Sequence, residues 1–210
     1  MKTQFKFMLC AVVAGSLAAG GIALGDDASP QAKPDAEGYV RDWLVLAPIP
    51  LGQENAGADL IGKDQIEKEA SLAPKAGDKI KVNDKEFTWK SVHTKDSSFD
   101  LNAILGGPNE NAAGYLVAYL VCDKELSDLT LLIGSNDQGR LYLNGKEVFK
   151  FTETRALEKD SDKVEHLTLK KGVNTIVFKV INENNNWEGC VRFTDKGGKA
   201  VTDFTVKLSP

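Results

Sequence analysis

Histidine is nearly missing from this chain of 210 residues. There are two, His93 and His166, and His166 sits inside a strand-like alternating run. With so few bases titrating near neutrality, a histidine-dependent nucleophile or general-base centre has little to be built from. Cysteine is scarce as well, with no CxxC pair and no paired histidine spacing, so no zinc ligand set is written into the chain. No GxSxG elbow, HExxH helix or glycine-rich phosphate loop occurs. The 30 acidic residues formally permit a two-carboxylate site, but no spacing among them selects a pair. The expectation is a protein with no catalytic machinery of its own.

Long apolar runs are confined to the N-terminus. Lys2 and Lys6 precede an apolar stretch from Phe7 to Ala19, and small residues lead through Ala23-Leu24-Gly25 to Asp26-Asp27. That order of charge, apolar run and small residues predicts a secretory signal over residues 1–25. Gly15, Ser16, Gly20 and Gly21 dilute the stretch below the roughly 20 strongly apolar residues of a membrane span. An uncleaved anchor is the alternative. Cys10 lies too early in the run for lipid attachment. The expected location is therefore secreted, periplasmic or cell-envelope, with no membrane span after cleavage.

An excess of basic charge is also lacking. Residues 1–25 hold two lysines and no acid, which leaves 24 basic against 30 acidic residues, a formal charge of −6. Nucleic acid is not the expected partner on that balance, since phosphate neutralisation needs clustered Lys and Arg. The remaining length suits one domain with a real core.

What is present is mostly β signal. Residues 26–37, with Pro30 and Pro34, read as a flexible linker. The domain is expected over 38–210. Trp43-Leu44-Val45-Leu46 is a short apolar run that ends at Pro48 and Pro50. Residues 53–63 read as loop, and Asp64 to Ala70 has the composition of a short surface helix. Lys79-Ile80-Lys81-Val82 and Phe87-Thr88-Trp89 flank Asn83-Asp84, and Leu141-Tyr142-Leu143 runs into Asn144-Gly145, both hairpin signals. Further strand patterns cover 115–122, 129–133, 164–169, 174–181, 187–194 and 200–208. Short strands at this spacing, without a helical period, predict an all-β antiparallel sandwich of jelly-roll type with one short surface helix.

Cys122 and Cys190 both fall in strand patterns. Two readings stay open: a disulfide permitted by export, or two small buried core residues.

Several strings carry a resemblance. They are Trp43 to Pro48, Ile133-Gly134-Ser135-Asn136-Asp137-Gln138-Gly139, Leu141 to Lys146, Leu169 to Asn174, Phe178-Lys179-Val180 and Asn185-Asn186-Trp187. Together they resemble the galactose-binding-like and protective-antigen-like jelly-roll domains of exported carbohydrate-active proteins. The resemblance covers roughly the last hundred residues. It implies a non-catalytic module that binds a glycan at loops on one edge of the sandwich, often beside a calcium ion. Such relatives commonly carry two consecutive aspartates where this chain has Asn136-Asp137.

Sugar recognition needs an exposed aromatic face for the pyranose ring and planar amides or carboxylates for its hydroxyls. Trp187 beside Asn185 and Asn186 has that pairing, with Asn136, Asp137 and Arg140 as a second polar edge. Each also has a structural alternative: Trp187 as a core cap, the Asn and Asp residues as turn formers. Trp43 and Trp89 read as core. Two functions follow, a glycan-binding module or a structural, protein-interaction domain of the envelope. A solvent-facing tryptophan beside converging Asn and Asp favours the first, and burial of all three tryptophans favours the second.

Overall fold

The computed structural model describes residues 32–210. The expected signal at 1–25 lies outside the described residues, as does the first part of the expected linker. Its last part is ordered: Ala32 exchanges main-chain hydrogen bonds with Val206, and Asp35 accepts from the amides of Glu37 and Tyr39.

In chain order the elements are β1 (Asp42–Pro50), α1 (Gly57–Leu60), a 3-10 turn (Glu69–Ser71), β2 (Lys79–Val82), β3 (Lys85–Thr88), β4 (Lys90–His93), β5 (Phe99–Asp100), α2 (Leu101–Leu105) and β6 (Ala112–Cys122). There follow β7 (Leu126–Asn136), β8 (Gly139–Leu143), β9 (Lys146–Phe151), β10 (Asp162–Leu169), β11 (Gly172–Asn182), β12 (Glu188–Thr194) and β13 (Thr205–Lys207). A larger sheet runs β4-β1-β6-β11-β8-β9, with β13 also on β6, and a smaller one runs β10-β7-β12-β5. All pairings are antiparallel. The chain is an all-β sandwich, as expected.

Period-two alternation decides what each face of a strand meets. In β11, Ile176, Phe178 and Val180 point between the sheets, where they meet Leu131 and Ile133 of β7 and Val191 and Phe193 of β12. Val177 and Ile181 point the other way into a second apolar layer, with Leu44, Tyr115 and Tyr142. That outer face is covered by residues 51–76, which we call the strap, and by the β2–β3 hairpin, through Ile61, Ile66, Val82 and Trp89. The centre of the larger sheet is therefore dry on both faces, which explains why β6 is buried along nearly all its length.

Both hairpin turns form where expected. Asn83 and Asp84 adopt φ of 48° and 64°, and Asn144 and Gly145 adopt 52° and 79°. The positive φ at both central residues is what a type I′ turn demands.

The expected helix over 64–70 is a correction. Only a 3-10 turn forms there, while the helices are α1, in what reads as loop, and α2, which Asp100 caps by accepting from the Ala103 amide at 3.0 Å. The reason lies in Glu69, which has no exposed surface. It accepts from the hydroxyls of Tyr115 (2.7 Å) and Tyr142 (2.8 Å), from Arg140 Nη1 (2.9 Å) and from Lys179 Nζ (3.3 Å). Lys179 Nζ also donates to the carbonyls of Leu60 (3.2 Å), Ile61 (3.4 Å) and Lys63 (2.6 Å). A surface helix would leave this carboxylate in water. Docking the strap instead pairs it with the buried ammonium, and a strong tertiary demand overrides weak local propensity.

Candidate functional site

Three loops meet at one end of the sandwich. The β7–β8 turn supplies Asn136 and Asp137, the β9–β10 loop supplies Thr154, Arg155 and Ala156, and the β11–β12 loop supplies Asn184, Asn185 and Asn186. They line a cleft of about 550 Å³. Four of the expected ligand-facing residues, Asn136, Asp137, Asn185 and Asn186, are thus brought together.

The turn is held in register by β11: the Asp137 amide donates to the Ile181 carbonyl (2.9 Å), and the Ile181 amide to the Gln138 carbonyl (3.0 Å). The peptide between Asn136 and Asp137 is cis. Asp137 is buried, and its two carboxylate oxygens accept from the amides of Arg155 (3.2 Å) and Glu183 (3.0 Å). Burial pushes its pKa up from the usual carboxylate range, and the main-chain donors oppose the rise. Asn136 is 7% exposed, and its Oδ1 has no partner among the described residues. A buried amide oxygen left unsatisfied is a local cost to the fold, and this one lies beneath the cleft rather than on its surface.

Arg155 forms the opposite wall. Its Nε donates to the Ser135 carbonyl (3.0 Å), its Nη2 to Ser135 Oγ (2.9 Å) and to Asp162 (2.5 Å), and its guanidinium lies 3.6 Å from the Phe151 ring centroid. On the third loop Asn185 takes φ of 66°, a left-handed conformation that Asn tolerates, and its carbonyl accepts from Asn102 Nδ2 at 2.7 Å. The cleft therefore presents amide donors and acceptors, one hydroxyl, one carboxylate and one guanidinium, of which the last three are held by neighbouring loops.

Two expectations are corrected, and of two open readings one is realised. Trp187 offers no stacking face: it has no exposed surface, and its Nε1 donates to the Val180 carbonyl at 3.2 Å. It sits just before β12, where the two sheets close on each other, and an indole placed there fills the end of the core. Trp43 and Trp89 are buried too, as expected. Arg140 lies away from the cleft, because alternation along β8 sends Leu141 and Leu143 between the sheets and turns Arg140 and Tyr142 toward the strap. It donates to Glu69, to the Gly62 carbonyl and to Glu147. Of the two cysteine readings, the structure has buried free thiols. Cys122 belongs to the core between the sheets, whereas Cys190 Sγ lies beside Gly134 under the 157–158 loop. Strands of different sheets hold them on different faces.

Thr154, Arg155 and Ala156 were invisible to pattern reading, since the segment reads as a solvated charged loop. Glu183 beneath them was missed for the same reason. His93 and His166 lie elsewhere, bonded to Asp42 (2.9 Å) and Asp128 (2.8 Å). Among the described residues no three His, Cys, Asp or Glu side chains converge on a metal position, and no helix is long and apolar enough to cross a membrane.

No protein-family model matches the chain, and no curated protein does. Among solved structures it is similar to the PA14 domain of the MpAFP antifreeze protein, at 13% identity over 88% of this chain and 97% of that one, with a TM-score of 0.40. It is also similar to part of a GH31 α-xylosidase from Xanthomonas citri, at 12% identity and a TM-score of 0.33, covering 86% of this chain and 17% of that one. Likenesses of this size carry no argument about activity. On its own geometry the chain is an antiparallel β-sandwich with a polar cleft, built from three loops, at one end.

Proposed function

We propose that the cleft binds a carbohydrate without chemical conversion, in an exported protein. The observation that carries this reading is the convergence of Asn136, Asp137, Thr154, Asn184, Asn185 and Asn186 on one polar cleft. Adjacent sugar hydroxyls each donate and accept, and planar amides held in fixed geometry answer both needs. The sequence resemblance to glycan-binding jelly rolls supports the same reading. Recognition here is by polar contacts, since the expected aromatic platform is buried, and affinity for a single sugar is correspondingly weak.

Calcium fits this cleft in part. Asp137 would be its one carboxylate, with the amide oxygens of Asn184, Asn185 and Asn186 as neutral ligands, and a low ligand charge gives weak binding. The ion would supply a positive centre for sugar hydroxyls. A glycan array probed with the full chain, with and without calcium, tests the reading. Binding that is lost in Asn136→Ala and Asn185→Ala supports it; no glycan retained under either condition removes it.

A second reading is favoured by one observation, the burial of all three tryptophans at 1%, 3% and 0% exposure. It makes the chain a structural or protein-interaction domain of the cell envelope with no small ligand.

A further inference from the structure

Glu183 uses every polar group it has, and each goes to a different segment. Its amide donates to Asp137 Oδ2 (3.0 Å), and its carbonyl accepts from the Asn111 amide (3.2 Å). Oε1 accepts from the Gly57 amide (2.8 Å) and Oε2 from the Thr154 hydroxyl (3.2 Å). Asp137 and Thr154 are walls of the cleft; Gly57 begins α1 of the strap. The side chain is nearly buried, so these partners replace water that it does not have.

The approach of the strap at this point is close. A Cβ on residue 57 would stand 2.2 Å from Gln138 Oε1 and 2.7 Å from Glu183 Oε1, so any larger residue there would displace the ends of both side chains. Helix α1 is fixed at its other end, where Lys179 holds the Leu60 and Ile61 carbonyls. A continuous set of bonds thus runs from the buried ammonium through α1 and Glu183 to the hydroxyl in the cleft.

We propose that Glu183 is the positioning residue of the cleft, and that through Gly57 it couples the seated strap to the stance of Thr154. As a statement about ligand binding this rests on the reading of the cleft given above; the coupling itself is a property of the free protein. Amide exchange in the full chain without ligand therefore tests it. Glu183→Ala is expected to raise exchange at Gly57 and Arg155 about tenfold, the effect of losing one hydrogen-bond anchor. Val117 and Val177, at the centre of the larger sheet, stay protected and report that the fold is intact. Glu183→Gln restores both sites, because its oxygen still accepts from Gly57 and its amide nitrogen reaches the Thr154 hydroxyl. A role in overall stability alone would move the central amides too, and that result, or unchanged exchange at Arg155, overturns the proposal. Should Glu183→Ala fail to fold, Thr154→Val decides: exchange at Gly57 rises about threefold if the sites are coupled, and no change overturns it. If the exchange results hold and the glycan array is blank, the ligand reading falls and the coupling stands.

Discussion

Lys179 Nζ lies 3.3 Å from Glu69 Oε2, and neither side chain has any exposed surface. The two residues belong to β11 and to the 3-10 turn of the strap, far apart in sequence. Burial pushes the Lys179 pKa down, and Glu69 works against that shift.

Removing one partner of such a pair strands a charge. Glu69→Met is therefore expected to destabilise the fold by about 3–5 kcal/mol, since Lys179 stays buried without its carboxylate. Glu69→Met with Lys179→Met is expected to recover part of the loss, because the second change removes the stranded ammonium. Urea unfolding of both variants checks the order.

Alkali should unfold the protein through its tyrosines. Burial raises the pKa of Tyr39, Tyr115, Tyr119 and Tyr142 above the ordinary value of 10.0, with Glu69 adding to the rise at Tyr115 and Tyr142. Above pH 10 the unfolded chain ionises these phenols while the folded one keeps their protons. Their contribution is full below pH 10 and is lost as pH climbs toward the folded values. For Tyr115 alone the slope is about 1.4 kcal/mol per pH unit. Unfolding free energies between pH 9 and 11.5 check this, and Tyr115→Phe is expected to flatten the curve.

Trp187→Ala is expected to cost about 3–5 kcal/mol by leaving a cavity at the end of the core. A melting curve reads the loss. Asn184→Ala, on an exposed loop, should change stability by less than about 0.5 kcal/mol. Equal effects from the two substitutions would contradict the burial of the indole.

Neither Cys122 nor Cys190 should react with an alkylating agent in the native state. Both are buried, and burial raises both thiol pKa values, so little thiolate forms. Peptide mapping should find both labelled after denaturation without reductant. A disulfide-linked peptide would refute the free-thiol assignment.

Local rules were readable in the sequence because their causes are local. Asn83-Asp84 and Asn144-Gly145 carry the φ values of their turns in their own side chains, and the alternation in β11 names its two faces. The site was half legible. Asn136, Asp137, Asn185 and Asn186 stand in turn-forming strings, which put them at loop ends. Trp187 was misplaced because exposure of an aromatic depends on what closes over it, and nothing in its neighbours says that two sheets meet there. Arg140 belongs to an alternating strand whose second face looked free, since the strap that covers it is distant in sequence. Glu69 was misread for the same reason: its helix-forming neighbours are outvoted by a lysine more than a hundred residues away.

The strap also bears on the order of assembly. The carbonyls that Lys179 holds lie 116 to 119 residues from it in sequence, so this contact closes a long loop, and such closures are kinetically late. Sealing the ammonium under apolar residues before those carbonyls arrive would strand it dry. The two sheets should therefore condense first around β6 and β11, with the strap latching afterwards, and a refolding experiment would show Trp89 reaching its native fluorescence after Trp43 and Trp187.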